Sequence, residues 1–476
     1  MKRFAVLLLC ALMIVPMCFF GCGDGDEDTT FVPATAAEEL REPLDVPEVT
    51  FDANYTFEII GKGSEGWNAE DILCPEEDSD DVLVSAKYKR YKTVEDMYGI
   101  KINTTLKDNI STVVKGSVDA NDKAFHMIWM DTSDTSSAAM GDLLMNLYDI
   151  DPLNNLDAPW YDDNYKTDMS IGDTLYSSVN DMETMDMHCT WIMMYNKRLL
   201  AQYGLKDPYD MVKDNEWTFD NFVAMLSGIS KDNGDGVWDK DDTYAFATHA
   251  GAARNFFFGA GMRICDKDSA NYPELVVQNN NNATKFQEKV VKLLHNDNTS
   301  HFTTDGSIIS AFMGGRALFL AEIAGYLGAF VDMDDDYGIV PYPKYDKAQK
   351  RYYTTNDPCI MVMSIPAFGW TEQEIEQIGV VTETLCWESY YTLRPAYYEK
   401  TLGGKGTRDE GSYEMLDLCR ESRVYDFGLF NPSISMHNIF SSIIEDTNTT
   451  YTRFIKRNEK SSATALQDLI DKYEKA

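Results

Sequence analysis

Between residues 56 and 130 the spacing of apolar positions switches between two periods. Thr56–Ile60 is a short apolar run, Lys101–Lys107 alternates, and Phe125–Met130 is continuously apolar; all three predict strands. Val82–Tyr98 and Ser111–Val118 between them carry helical spacing. A polar turn at 131–137 and a further helix are expected next. Strand, helix, strand, helix, strand is the order of a parallel sheet with helical crossovers. Trp129, inside the third run, is expected in the core.

The pattern then restarts. Thr174–Val179 predicts a strand, and Thr190–Tyr195 a strand that runs into the helix NKRLLAQY, stopped by Gly204. Thr218 is placed to cap a helix over 220–230. Helices are predicted at Lys285–His295, Gly306–Met313, Glu372–Tyr391 and Ala463–Tyr473. Strands are predicted at Ala317–Ala321, Tyr337–Tyr342 and Ile360–Ile365. One sheet-forming block ends near 185, a second begins near 190, and the strand at 360 opens a further segment. Two α/β lobes joined by several chain crossings, with a ligand cleft between them, follow from that order.

The N-terminus changes the setting. Lys2 and Arg3 precede an apolar run from Phe4 to Phe20, then Gly21-Cys22 and a polar stretch. Residues 1–21 read as an export signal, too short for a comfortable membrane span. Gly21-Cys22 resembles a lipobox, with Phe19 where Leu is usual, and Cys22 is the candidate lipid-bearing residue; a cleaved signal or an uncleaved anchor is the alternative. Residues 22–53, acidic and poor in large apolar side chains, are expected to be a flexible tether.

Charge and cysteine content exclude some functions. The net charge of −36 over 476 residues argues against nucleic acid or an anionic membrane surface as partner. Loss of residues 1–21, with their two positive charges, takes it to −38. A receptor this anionic suits a neutral or cationic solute. Cys74, Cys189, Cys265, Cys359, Cys386 and Cys419 are scattered and show no metal-type spacing, so buried thiols with at most an incidental bridge are expected.

Two motifs carry candidate chemistry. Gly61–Gly66 fits G-x-G-x-x-G after a strand, but no helix or well-spaced second strand follows, so it reads as a loop that approaches a ligand rather than a dinucleotide site. Lys231–Asp242 resembles a calcium loop, with Asn233, Asp235, the Val237 carbonyl, Asp239 and Asp242 as ligands. Lys231 stands where the first acidic ligand belongs, so a metal-free acidic turn is the competing reading. The six histidines are scattered, there is no G-x-S-x-G, and no carboxylate pair stands out, so an enzyme is not expected. The many Trp and Tyr suit stacking on sugar rings.

The chain resembles the family 1, sugar-type solute-binding proteins of ABC importers, of the maltose-binding-protein kind. Its nearest likeness is to lipoproteins of anaerobic Gram-positive bacteria. The resemblance rests on YNKRLLAQYGLKDPYDMVKDNEWTFDNFVAMLSGIS at 195–230 with NGDGVWDKDDTYAFATH after it, AFMGGRALFLAEIAG at 311–325 and YGIVPYPK at 337–344. YKRYKTVEDMYGI at 88–100 and SIGDTLY at 170–176 add to it.

The resemblance implies a type II periplasmic-binding-protein fold, with crossings near 186–190, 355–360 and 408–414. Lobe 1 would be 54–186 plus 358–410, and lobe 2 would be 187–357 plus 411–476. It implies cleft residues at strand ends: Lys62, Glu65 and Trp67; Asp131, Thr132 and Asp134; Trp191; Glu322 and Tyr326; His437 and Asn438. It also implies a monomeric, non-enzymatic receptor without a cofactor, apart from the calcium reading. The receptor would be held at the extracellular face of the membrane by Cys22 and would deliver a mono- or oligosaccharide to a permease. A surface adhesin or sensor of the same fold, or a glycoside hydrolase, is the alternative.

Overall fold

The computed structural model describes residues 41–475 except 64–67, 296–297 and 403–409. The signal 1–21, tether residues 22–40, Cys22, Glu65 and Trp67 lie outside the described residues. The strands in chain order are β1 (Thr56–Lys62), β2 (Lys101–Lys107), β3 (Met127–Asp131), β4 (Trp191–Asn196), β5 (Tyr244–Thr248), β6 (Cys265–Lys267), β7 (Pro273–Leu275), β8 (Ser300–Phe302), β9 (Ala317–Ile323), β10 (Tyr337–Val340), β11 (Thr354–Thr355), β12 (Met361–Ser364) and β13 (Arg423–Val424).

Two sheets build the two lobes. The first has the order β12-β3-β1-β2. Strands β1, β2 and β3 are parallel, as the alternation of strand and helix predicts, and β12 joins antiparallel to β3. The second has the order β10-β4-β9-β5-β8, with β10, β4 and β9 antiparallel in turn and β5 parallel to both β9 and β8. Every residue of β4, β5 and β9 is buried, because helices cover both faces of the sheet. One of those faces is aromatic: Phe222 meets Phe319, Phe246 and Trp217 edge to face at 5.2, 5.4 and 5.6 Å. Trp129 is fully buried, as expected.

Local chemistry corrects three expectations. The stretch 131–137 is not a turn: Asp131 accepts from the Asp134 amide and caps a helix over Thr132–Met140. Residues 174–179 do not form a strand. The Leu175 amide donates to Asn146 and its carbonyl accepts from Leu147, so only Ser178 reaches the first sheet, opposite Met363. The C-terminal helix is longer than expected, Tyr451–Tyr473, because Thr450 caps it through the Arg453 amide.

Residues 41–50, expected within the tether, instead lie along the helix Glu372–Tyr391. Arg41 pairs with Glu388 at 2.7 Å, the Glu42 amide donates to Tyr391, Trp387 donates to the Glu42 carbonyl, and Gln377 donates to the Thr50 carbonyl. No helix among the described residues is long and apolar enough to cross a membrane.

The chain passes from the first sheet into β4, and returns from β10 through β11 to β12. The linking stretches lie side by side. Thr190 bridges Asn356, and β11 runs parallel to β13. Arg423 on β13 is 2% exposed. Its guanidinium reaches Asp186 at 2.6 Å and Asp162 at 2.7 Å, so a buried charge cluster ties the links together.

Candidate functional site

In an open α/β sheet the ligand-facing groups sit beyond the carboxyl ends of the parallel strands. On the first sheet these are the adjacent ends of β1 and β3. Lys62 closes β1, and its ammonium contacts Asp131 and lies 2.8 Å from Asp134. Burial works against the Lys62 charge, but the hydrogen bonds and charges of the two aspartates outweigh it and raise its pKa. Ser111, at the start of the helix Ile110–Ala120, donates to Asp134 at 2.6 Å. Gly61 lets this wall close up. A Cβ there would stand 2.6 Å from the Ile72 side chain and 2.9 Å from that of Ala69.

On the second sheet, β4 begins with Trp191 and β9 ends at Glu322-Ile323, directly opposite it in the ladder. His249 follows the end of β5. Its Nδ1 accepts from the Gly251 amide, which leaves Nε2 as the N–H that donates to Glu322 at 3.1 Å. The Trp191 ring lies 5.7 Å from the His249 ring and 5.9 Å from the Arg254 guanidinium, which pairs with Asp357 at 2.9 Å. Trp191 is 3% exposed, and its indole N–H has no partner among the described residues. Tyr326, three residues past β9, is 38% exposed. Burial, with the Glu322 charge second, raises the pKa of its hydroxyl.

The two walls meet along the second link. Thr132, just past Asp131, donates to the Pro358 carbonyl at 2.7 Å, and Asp357 is the partner of Arg254. The contacts therefore run from Lys62 through Asp131, Thr132, Asp357 and Arg254 to Trp191, His249 and Glu322. Thr132 is buried and spends its hydroxyl on that link.

Of the residues singled out from sequence, Lys62, Asp131 and Asp134 come together, as do Trp191 and Glu322 on either side of His249, and Tyr326 is near enough to Glu322 to feel its charge. His437 and Asn438 keep their hydrogen bonds local, to Ile434 and to Ser441 and Ser442 at the start of the helix Ile439–Glu445. None reaches the Trp191 group among the described residues. His249, Arg254 and Asp357 were missed. His249 carried a usable signal, its place right after an apolar strand, whereas Arg254 and Asp357 become neighbours only when the second link folds back.

The acidic loop is self-contained. Asp242 is fully buried, and its two oxygens accept from the Asn233 and Asp239 amides at 2.8 and 2.7 Å. Asn233 accepts from Asp235, Asp235 from the Val237 amide, and Asp239 from Asp241. Gly234 and Gly236 take the left-handed backbone that the tight turn needs. Among the described residues no group of three or more His, Cys, Asp or Glu is placed to hold a metal ion.

Comparison with curated protein sequences gives no match. Solved structures share the fold. A cyclo/maltodextrin-binding protein complexed with maltotetraose superposes with a TM-score of 0.55 at 11% identity, over 89% of this chain and 98% of that one. The GacH receptor of Streptomyces glaucescens gives 0.54 at 12%, over 88% and 100%. RafE of Streptococcus pneumoniae in its apo form gives 0.53 at 13%, over 89% and 98%. At such identities the likeness establishes the two-lobed α/β architecture, that of periplasmic binding proteins. A family model described as bacterial extracellular solute-binding protein matches residues 89–372, more than half of the chain and a span that takes in the whole second sheet and all of the first but β1. The chain therefore belongs to the bacterial extracellular solute-binding protein family.

Proposed function

We propose that the protein is a non-enzymatic receptor that captures a neutral carbohydrate between its lobes and delivers it to the permease of an ABC importer. The lobes would be 54–186 plus 358–410 and 187–357 plus 411–476. A lipid on Cys22 would hold the receptor at the outer face of the membrane; one acyl chain binds marginally, so stable anchoring would need two or more. The family and the sugar-binding structural relatives support this reading.

The observation that carries it is the place of Tyr326 just beyond β9, near the carboxylate of Glu322 at that strand's end. An exposed aromatic ring stands near enough to a carboxylate to feel its charge, just past a strand whose end lies opposite the buried Trp191. A sugar needs that combination: a flat apolar face to stack on and acceptors for its hydroxyls. On the other wall, Asp131 and Asp134 have oxygens to share between Lys62 and a ligand hydroxyl. Closure follows from differential affinity, because a ligand that touches both walls favours the state in which both are near.

Thermal-shift screening of the chain against mono- and oligosaccharides, polyols and peptides tests the proposal. A neutral oligosaccharide should raise the melting temperature in proportion to the logarithm of its concentration above Kd. A rise with peptides and none with any sugar or polyol would overturn it.

A further inference from the structure

Cys189 and Cys359 come from opposite ends of the second lobe's sheet-forming segment, 170 positions apart, yet their sulfurs lie 3.7 Å from each other. Cys189 sits on the first link between the lobes and Cys359 on the second. The backbone already joins these links: the Asp357 amide donates to the Cys189 carbonyl at 3.0 Å, Thr190 bridges Asn356, and Asp357 accepts from the Cys359 amide. The other described cysteines, Cys74, Cys265, Cys386 and Cys419, show no such sulfur pairing among the described residues. Cys74 instead faces the Pro75 carbonyl.

We propose that Cys189 and Cys359 form an oxidisable pair, closed by a small-molecule disulfide outside the cell into an intramolecular bond that staples the first two links of the hinge. Closing the gap to a bond of about 2.0 Å needs a sulfur shift of under 2 Å, within the range of side-chain rotation on two link segments whose backbones are already hydrogen-bonded to each other.

The order of events follows from access. Cys189 is buried; burial first, then Cys359 and the charges of Asp357 and Asp186, hold its thiol well above the usual range. Cys359 is partly exposed and reacts first. It loses its proton to solvent, and its thiolate attacks one sulfur of glutathione disulfide, forming a mixed disulfide and releasing one glutathione thiolate. Cys189 then passes its proton to that thiolate and attacks the Cys359 sulfur, expelling the second glutathione. The protein thiols lose two electrons and two protons, and one glutathione disulfide becomes two glutathione thiols.

The bond is read without any solute, so its failure is separate from failure of the receptor reading, on which only the consequence for lobe closure rests. The reduced full-length chain is incubated with glutathione disulfide, alkylated, digested and analysed by mass spectrometry. A peptide joining Cys189 to Cys359 is expected, with Cys74, Cys265, Cys386 and Cys419 alkylated. Alkylation of both Cys189 and Cys359 after oxidation, or linkage of either to another cysteine, would overturn the proposal. The oxidised wild type should melt several degrees above the reduced form, since a bond closing so long a loop restricts the unfolded chain. Cys359→Ser, a change at a partly exposed thiol that leaves the buried Cys189 in place, should show no oxidant-dependent shift. An equal shift in that variant, or none in the wild type, would refute the staple.

Discussion

The charge cluster at the links allows one prediction to be worked through. Arg423→Met keeps the length and most of the volume of the side chain and removes the guanidinium. Asp162 and Asp186 then face a buried site with no cation, where Arg423 now reaches them at 2.7 and 2.6 Å. Breaking a buried ion pair from one side costs about 3–5 kcal/mol, because the abandoned charges must be desolvated or protonated. The charge-assisted hydrogen bonds that Arg423 gives to Asp186 and to the Arg420 carbonyl, at about 1.5–3 kcal/mol each, give an overlapping range of about 3–6 kcal/mol. Urea unfolding followed by tryptophan fluorescence should show that loss at pH 7.5. Arg423→Lys should recover only part of the loss, since an ammonium cannot span both carboxylates in one plane. A loss of under about 1 kcal/mol for Arg423→Met would show that the cluster is not what ties the links and would refute the reasoning.

Other residues give shorter tests. Tyr326→Ala should weaken oligosaccharide binding about tenfold, or ~1.4 kcal/mol by calorimetry, and leave the melting temperature of the free protein in place because the ring is exposed. Asp242→Ala should cost about 1–3 kcal/mol in unfolding experiments, by orphaning the Asn233 and Asp239 amides. A chelator should leave the wild-type melting temperature unchanged, as that carboxylate already closes the loop. Glu383 accepts from Trp160 and Tyr161, and burial lifts its carboxyl to about 7 from its ordinary 4.5. The folded state therefore holds a proton the unfolded chain has released, and wild-type stability should fall as pH rises from about 4.5 to about 7. Glu383→Gln should flatten that slope by one proton; an unchanged slope in the variant would count against it.

Much of the candidate site was legible because it follows strand ends. An apolar run that stops at a charged residue marks both the end of a strand and a side chain left at the sheet's rim. Lys62, Asp131 and Glu322, which the family resemblance implies as cleft residues, stand at such positions. His249 obeys the same rule, but its strand, YAFAT, was not recognised beside the acidic loop that precedes it. Arg254 and Asp357 obey no local rule, and neither does the pairing of Cys189 with Cys359. Each depends on a link that returns after more than 100 residues.

The sequence by itself determined the alternation of strands and helices, the two sheet-forming blocks and the apolar interiors of β4 and β9. Those features depend on side-chain periodicity over a few residues, and burial acts on that periodicity directly. Only the tertiary structure decided how the links lie against each other, which carboxylates Arg423 neutralises and which polar residues share a wall. It also decided that 174–179 gives its hydrogen bonds to a loop and that 41–50 packs on a helix. Backbone donors and buried charges must find partners somewhere, and which partner is nearest depends on the whole fold rather than on neighbours in the chain.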